Sequence, residues 1–363
     1  MSSFPRFKIL VVIGVILCVV ATGCARSVDV SEASPCFEAG DRAKPCPIDR
    51  PPPQYPGRAL RRGGEALVLV QFDVREDGRT DEIEVIDRIG HEIFERAAVD
   101  SVSRWRYAPV TEAGIAVRSR GLRVAIPFKL DVQAAGATPK AKQGLEAALA
   151  AMRSRDLEGA RQILVQLDAW EWPNLYETQY RSFVRGLVLH LDDQNEASIA
   201  ALQRALLFDG KYIREVDRRR ALSFLVRAAY LADKPGEADR ALSALELAVG
   251  AERLPSDLRQ IRDLLEERRR HSEPIRYEIE IPPRSTPTRA AMAQHTPLQA
   301  VVRFETAGES FPRRLGILCD EHKEMLDAEP GMEIEIDDAW ENCTLQVYGT
   351  PGTRLTILEL PIS

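Results

Sequence analysis

The spacing of apolar residues changes period twice along this chain, and one layered core cannot satisfy all three patterns. Residues 66–74 set Val68, Val70, Phe72 and Val74 at period two on one strand face, the region 141–270 repeats its apolar positions at helical spacing, and from Tyr277 onward short alternating runs return. Period two sends side chains to opposite faces of a strand, whereas period 3.6 gathers them on one face of a helix. The expected class is therefore α+β: a small mixed domain, then an all-α region, then a small antiparallel β domain. With 363 residues there is chain enough for two or three separate cores.

The amino terminus has its own pattern. Arg6 and Lys8 precede an apolar run over 9–20, followed by Ala21, Thr22, Gly23 and Cys24. The run is shorter than the roughly 20 residues of a spanning helix and fits the apolar part of an export signal. The small residues before Cys24 resemble a bacterial lipobox, so 1–24 is expected to be a signal peptide with lipid attached at Cys24. Ala25 after the cysteine, by the same resemblance, favours the outer membrane; an uncleaved inner-membrane anchor is the alternative. Residues 25–53 are polar, rich in proline and without apolar period, which predicts a tether closing on Pro51, Pro52 and Pro53. The cysteines beyond the signal pair naturally as Cys36 with Cys46 and Cys319 with Cys343, and an oxidising periplasm would let both disulfides close.

Residues 54–132 carry the pieces of one domain. Val68, Val70, Phe72 and Val74 share a strand face, Asp77-Gly78 supplies a turn, and Ile83 and Val85 mark a second strand. A helix over 92–105 places Ile93 or Phe94, Ala97, Ala98, Val102 and Trp105 against that sheet. A last strand over 118–130 aligns Leu122, Val124, Ile126 and Phe128, with Pro127 permitted only at an edge or bulge.

Within 141–271 a helix, a break and a second helix recur. Ala160, Ser198 and Ala238 sit at near-equal spacing, each with leucine four positions on, at Leu164, Leu202 and Leu242. A small residue followed by leucine lets helix pairs approach closely, and the pattern resembles tetratricopeptide repeats. Residues 275–363 then give YEIEI, LQAVVRF, RLGIL, MEIEI, TLQVYG and RLTILEL between turn residues, the pattern of a small antiparallel β domain, for which a sandwich is one arrangement.

Little points to chemistry. His91, His190, His271, His295 and His322 are scattered without metal-ligand spacing, and no nucleophile elbow, phosphate loop or zinc-protease motif is present. Asp337 and Asp338 before Trp340 fit a solvated loop. The net charge of −6 and the acidic surroundings of Arg61-Arg62, Arg218–Arg220 and 268–270 argue against nucleic acid. No enzyme activity, cofactor, metal or small-molecule substrate is expected.

The ordered set QYP at 54–56, Gly64, Asp77-Gly78, Phe94-Glu95-Arg96, the RWRY at 104–107, Pro109 and the closing IPFKL resembles the C-terminal domain of the TonB family. That resemblance implies a module that holds another polypeptide: such domains capture an extended segment of an outer-membrane receptor by strand addition. Carried over, it makes Gln54, Tyr55, Pro56, Arg104, Arg106 and the last strand from Arg123 through Val124, Ala125, Ile126, Pro127 and Phe128 the candidate protein-binding residues. Outer-membrane transporter segments or other envelope proteins are the partners implied. A full energy transducer and a non-transporting envelope scaffold remain alternatives.

Overall fold

The computed structural model describes residues 44–130, 136–270, 273–306, 310–320, 322–337, 340 and 342–361. The expected signal, Cys24, Cys36 and the first part of the tether lie outside the described residues. Among those described, no helix is long and apolar enough to cross a membrane.

The first region runs β1 (Cys46–Asp49), α1 (Gly57–Arg62), β2 (Ala66–Val74), β3 (Thr80–Ile89), α2 (Ile93–Val102), β4 (Arg106–Ala108), β5 (Val110–Glu112), β6 (Ile115–Val117) and β7 (Ser119–Phe128). Strands pair antiparallel in the order β3-β2-β7. Val68, Val70, Phe72 and Val74 turn toward α2, whose Phe94, Ala98 and Val102 close that side with Trp105, Ile126 and Phe128. The helix is shorter than the 92–105 expected, because Arg104 and Trp105 tighten into hydrogen bonds to Ser101 and Val102. Trp105 still meets Phe72 edge-on at 5.8 Å. The β2–β3 turn needs Gly78: its φ is +78°, and a Cβ there would collide with the Tyr107 carbonyl.

The end of the expected tether is docked. β1 pairs with β4, and the Pro51 carbonyl accepts from Ser101 Oγ at 2.7 Å and Trp105 Nε1 at 3.2 Å. The Arg50 guanidinium lies over the Trp105 and Tyr107 rings at 5.2 and 5.1 Å. Backbone groups and one cation make this attachment, which hydropathy cannot reveal.

Helices α3 (Pro139–Arg153), α4 (Leu157–Asp168), α5 (Leu175–Leu191), α6 (Asn195–Leu206), α7 (Glu215–Leu231), α8 (Pro235–Val249) and α9 (Ser256–Arg270) follow. Ala160, Ser198, Ala238 and their leucines 164, 202 and 242 are all buried. Arg155, Asp193 and Asp233 each adopt a left-handed φ in the turn before α4, α6 and α8, so one turn geometry repeats at the same spacing as the small residues. Asn174 caps α5 in a reciprocal capping box with Glu177. Glu177 also accepts from Thr138 at 2.8 and 2.7 Å, tying the starts of α3 and α5.

The last region holds β8 (Ile275–Glu280), β9 (Met292–His295), β10 (Val301–Thr306), β11 (Arg314–Leu318), β12 (Lys323–Asp327), β13 (Glu333–Glu335), β14 (Thr344–Tyr348) and β15 (Arg354–Leu360). Two antiparallel sheets, β13-β10-β15-β8 and β12-β11-β14-β9, face each other as a sandwich over Val302, Phe304, Leu315, Ile317, Leu345 and Ile357. β9 and β12 were absent from the expected runs: MAQH and KEMLD are short and too polar to alternate. A disulfide joins Cys319 to Cys343 beside the β11–β14 pair.

An antiparallel sheet commonly leaves one face in water. Here both sides are covered. Leu67 and Ile89 pack on Leu175, Leu207, Phe208 and Tyr212, while Leu69 and Ile86 meet Ala290, Met292, Met325 and Tyr348 of the sandwich. The polar residues of that side, Gln71 and Asp73, are each only 2% exposed.

Candidate protein-docking edge

The three-stranded sheet has two edges, and the chain treats them differently. At the β3 edge the Val85 amide donates to the Thr288 carbonyl at 2.9 Å and the Ala290 amide donates to the Val85 carbonyl at 3.0 Å. Glu95 of α2 anchors that strap: it accepts from Thr286, from Thr288 at 2.8 Å and from Arg289 at 2.9 Å, and pairs with Arg88. Burial alone would raise the Glu95 pKa, but these hydrogen bonds and the Arg88 charge prevail and hold it below the usual carboxylate value. At the β7 edge, among the described residues, the outward backbone has no such partner, since β7 pairs with β2 alone.

Pro127 fixes which groups face outward. Opposite Leu67 it has no N–H to give, so that pair is a non-hydrogen-bonded one. Counting back by twos along the unbroken register, the N–H and C=O of Arg123 and Ala125 point away from β2, together with the Pro127 carbonyl. Ala125 and Pro127 are exposed, Val124 is half-buried, and Ile126 and Phe128 are buried in the core.

Among the other candidates, Gln54 is exposed and Pro56 precedes α1 as its cap residue. Tyr55 belongs to the packing: its ring meets Phe94 and Phe128 edge-on at 5.5 and 5.8 Å, and its hydroxyl donates to the Gly64 carbonyl at 2.6 Å. Burial, helped by nearby Glu65, pushes its pKa up. Arg104 is exposed, and Arg106 donates to the Trp105 carbonyl at 2.7 Å. Both lie beyond the far end of α2 from Tyr55 and Phe94, roughly 15 Å away along the helix. The structure thus brings Tyr55 to β7 and leaves the two arginines apart.

Arg123 is turned inward. Its guanidinium bonds Gln71 at 3.0 and 2.6 Å, Tyr348 at 3.1 Å, and Gln346. Burial pulls its pKa below the ordinary arginine value. The side chain therefore joins sheet to sandwich, and only its backbone faces the edge. Sequence reasoning also missed the Asp73 cluster, where the carboxylate accepts from Arg118 at 3.1 Å, the Gly121 amide at 2.9 Å and Arg314 at 3.4 Å. An acidic residue within a strand that is otherwise apolar except for Gln71 was its one signal.

Among the described residues no cluster of His, Cys, Asp or Glu could hold a metal. Residues 51–130 match the family model described as the Gram-negative bacterial TonB protein C-terminal. TonB2 of Pseudomonas aeruginosa is 37% identical over 84 residues, covering 23% of this chain and 31% of that protein. TonB of Escherichia coli K12 is 40% identical over 65 residues, covering 18% of this chain and 27% of that protein. The solution NMR structure of the Pseudomonas aeruginosa TonB C-terminal domain aligns over 26% of this chain and 94% of that one, at 30% identity and a TM-score of 0.24. This chain thus spans about a third or less of the length of the curated relatives it matches.

Proposed function

We propose that residues 51–130 act as a TonB-type capture module, which adds an extended segment of an outer-membrane transporter to the free edge of β7. One observation carries this reading: of the sheet's two edges, the strap at 286–290 engages one at Val85, while among the described residues the β7 backbone from Arg123 to Pro127 meets no partner on its outward side. A lipid at Cys24 would hold the module at the envelope, and the helical region and sandwich would orient it and offer surface for further partners. Anchored so, the protein would bind a receptor segment without pulling on it.

The test follows from the parity of β7. Ala125→Pro removes an outward N–H and leaves the β2 pairing whole, so recovery of receptor plug segments in a pull-down should drop while thermal stability holds. Undiminished recovery by that variant would sink strand addition. Tyr55→Ala is the poorer probe, because it removes core packing. Globomycin sensitivity of the precursor, with membrane fractionation, separates the lipid-anchored form from an inner-membrane transducer.

A further inference from the structure

The open part of β7 is short, and both of its ends are built. Toward the start of the strand, the register with β2 shifts between Phe72 and Val74, Gly121 adopts φ +68°, and its amide is already given to Asp73. The sandwich also arrives there: a Cβ on Gly121 would lie 3.2 Å from Met325 Cβ, and Arg120 pairs with Asp327 of β12 at 2.9 Å. At the other end Pro127 offers no N–H, the strand itself ends at Phe128, and the Leu130 amide is held by Glu65 at 3.0 Å. Between these limits remain the amides of Arg123 and Ala125 and the carbonyls of Arg123, Ala125 and Pro127.

From this we infer that the downstream sandwich and the 120–121 bulge form a stop on the docking edge, so that it takes an extended segment of roughly five residues in a single register. The inference rests on the strand-addition reading and adds a length limit to it. A longer partner gains nothing beyond the window, since the next outward position toward the amino end is bulged and covered by β12. Register is fixed because Pro127 leaves one rung without a donor.

Calorimetric titration of the full chain with nested receptor-plug peptides of four to nine residues tests it. Affinity should climb with each rung up to five or six residues and then stay level within about twofold, whereas each added hydrogen bond before that gives roughly two- to tenfold. Pro127→Val restores the missing donor and should tighten five-residue peptides by a similar factor. A further climb of about tenfold between six and nine residues would overturn the stop while leaving strand addition standing. Absence of binding by every peptide, to wild type and Pro127→Val alike, would remove both.

Discussion

At the scale of single residues, Glu95 ties α2 both to β3 and to the strap. It is 1% exposed, yet it serves Arg88 of β3 and Thr286, Thr288 and Arg289 of the strap. Because its folded pKa lies below the unfolded value of about 4.3, its contribution is complete above that pH and is lost as pH falls through the folded value. Thermal stability should therefore drop as pH goes below about 4, and Glu95→Gln should flatten part of that slope. The same variant leaves the half-buried Arg88 guanidinium without its anion, while Arg289 keeps Asp87 at 3.2 Å, and should cost about 1–3 kcal/mol at neutral pH, measured by urea unfolding. If Glu95→Gln unfolds like wild type at pH 7, the carboxylate is not what holds the strap. The sequence pattern disclosed Phe94 and Trp105 as core because helical spacing reports burial directly. Glu95 stands between them with no such mark, since its partners in the strap lie almost 200 residues away.

Elements were legible where their period is carried by side chains. The small residue with leucine four positions on marked the second helix of each pair, and Gly186 shows the packing behind it: an added Cβ would lie 2.5 Å from Leu202 Cγ across the α5–α6 hairpin. Gly186→Ala should therefore destabilise by about 1–3 kcal/mol through overpacking, despite the better helix propensity of alanine. Unchanged or higher stability in denaturant titration would show that these helices are looser than drawn. Within β7, parity gives a sharper contrast than burial does. Ile126→Pro removes an amide facing β2 and should unfold the first region, whereas Ala125→Pro should leave the circular dichroism melt near that of wild type. Edge status was readable from Pro127. The contact at the opposite edge was not, because the segment 286–290 has no alternating apolar residues and is held by backbone and polar side-chain hydrogen bonds.

For the whole molecule, the hidden fact was that the sheet has two covered faces. The sequence pattern of β2 pointed to one core, and it could not show that Leu67, Leu69, Ile86 and Ile89 would meet residues more than 80 positions later, because contacts between regions leave no local period. Polar anchors complete the joint: Arg123 with Gln71, Gln346 and Tyr348, and Asp73 with Arg118 and Arg314. Residues Arg42 to Ser363 accordingly form one compact unit, and the first region is not a bead on a string. Cutting the chain after residue 130 would return four apolar side chains to water, each worth roughly 1.5–3 kcal/mol when buried. An isolated 44–130 fragment should therefore self-associate at micromolar concentration in sedimentation velocity. Leu67→Ser with Ile86→Ser in that fragment should restore a monomer, since both face away from α2. A monodisperse wild-type fragment would mean that the helices and sandwich do not cover this face for stability, and their role would then lie in positioning the β7 edge alone.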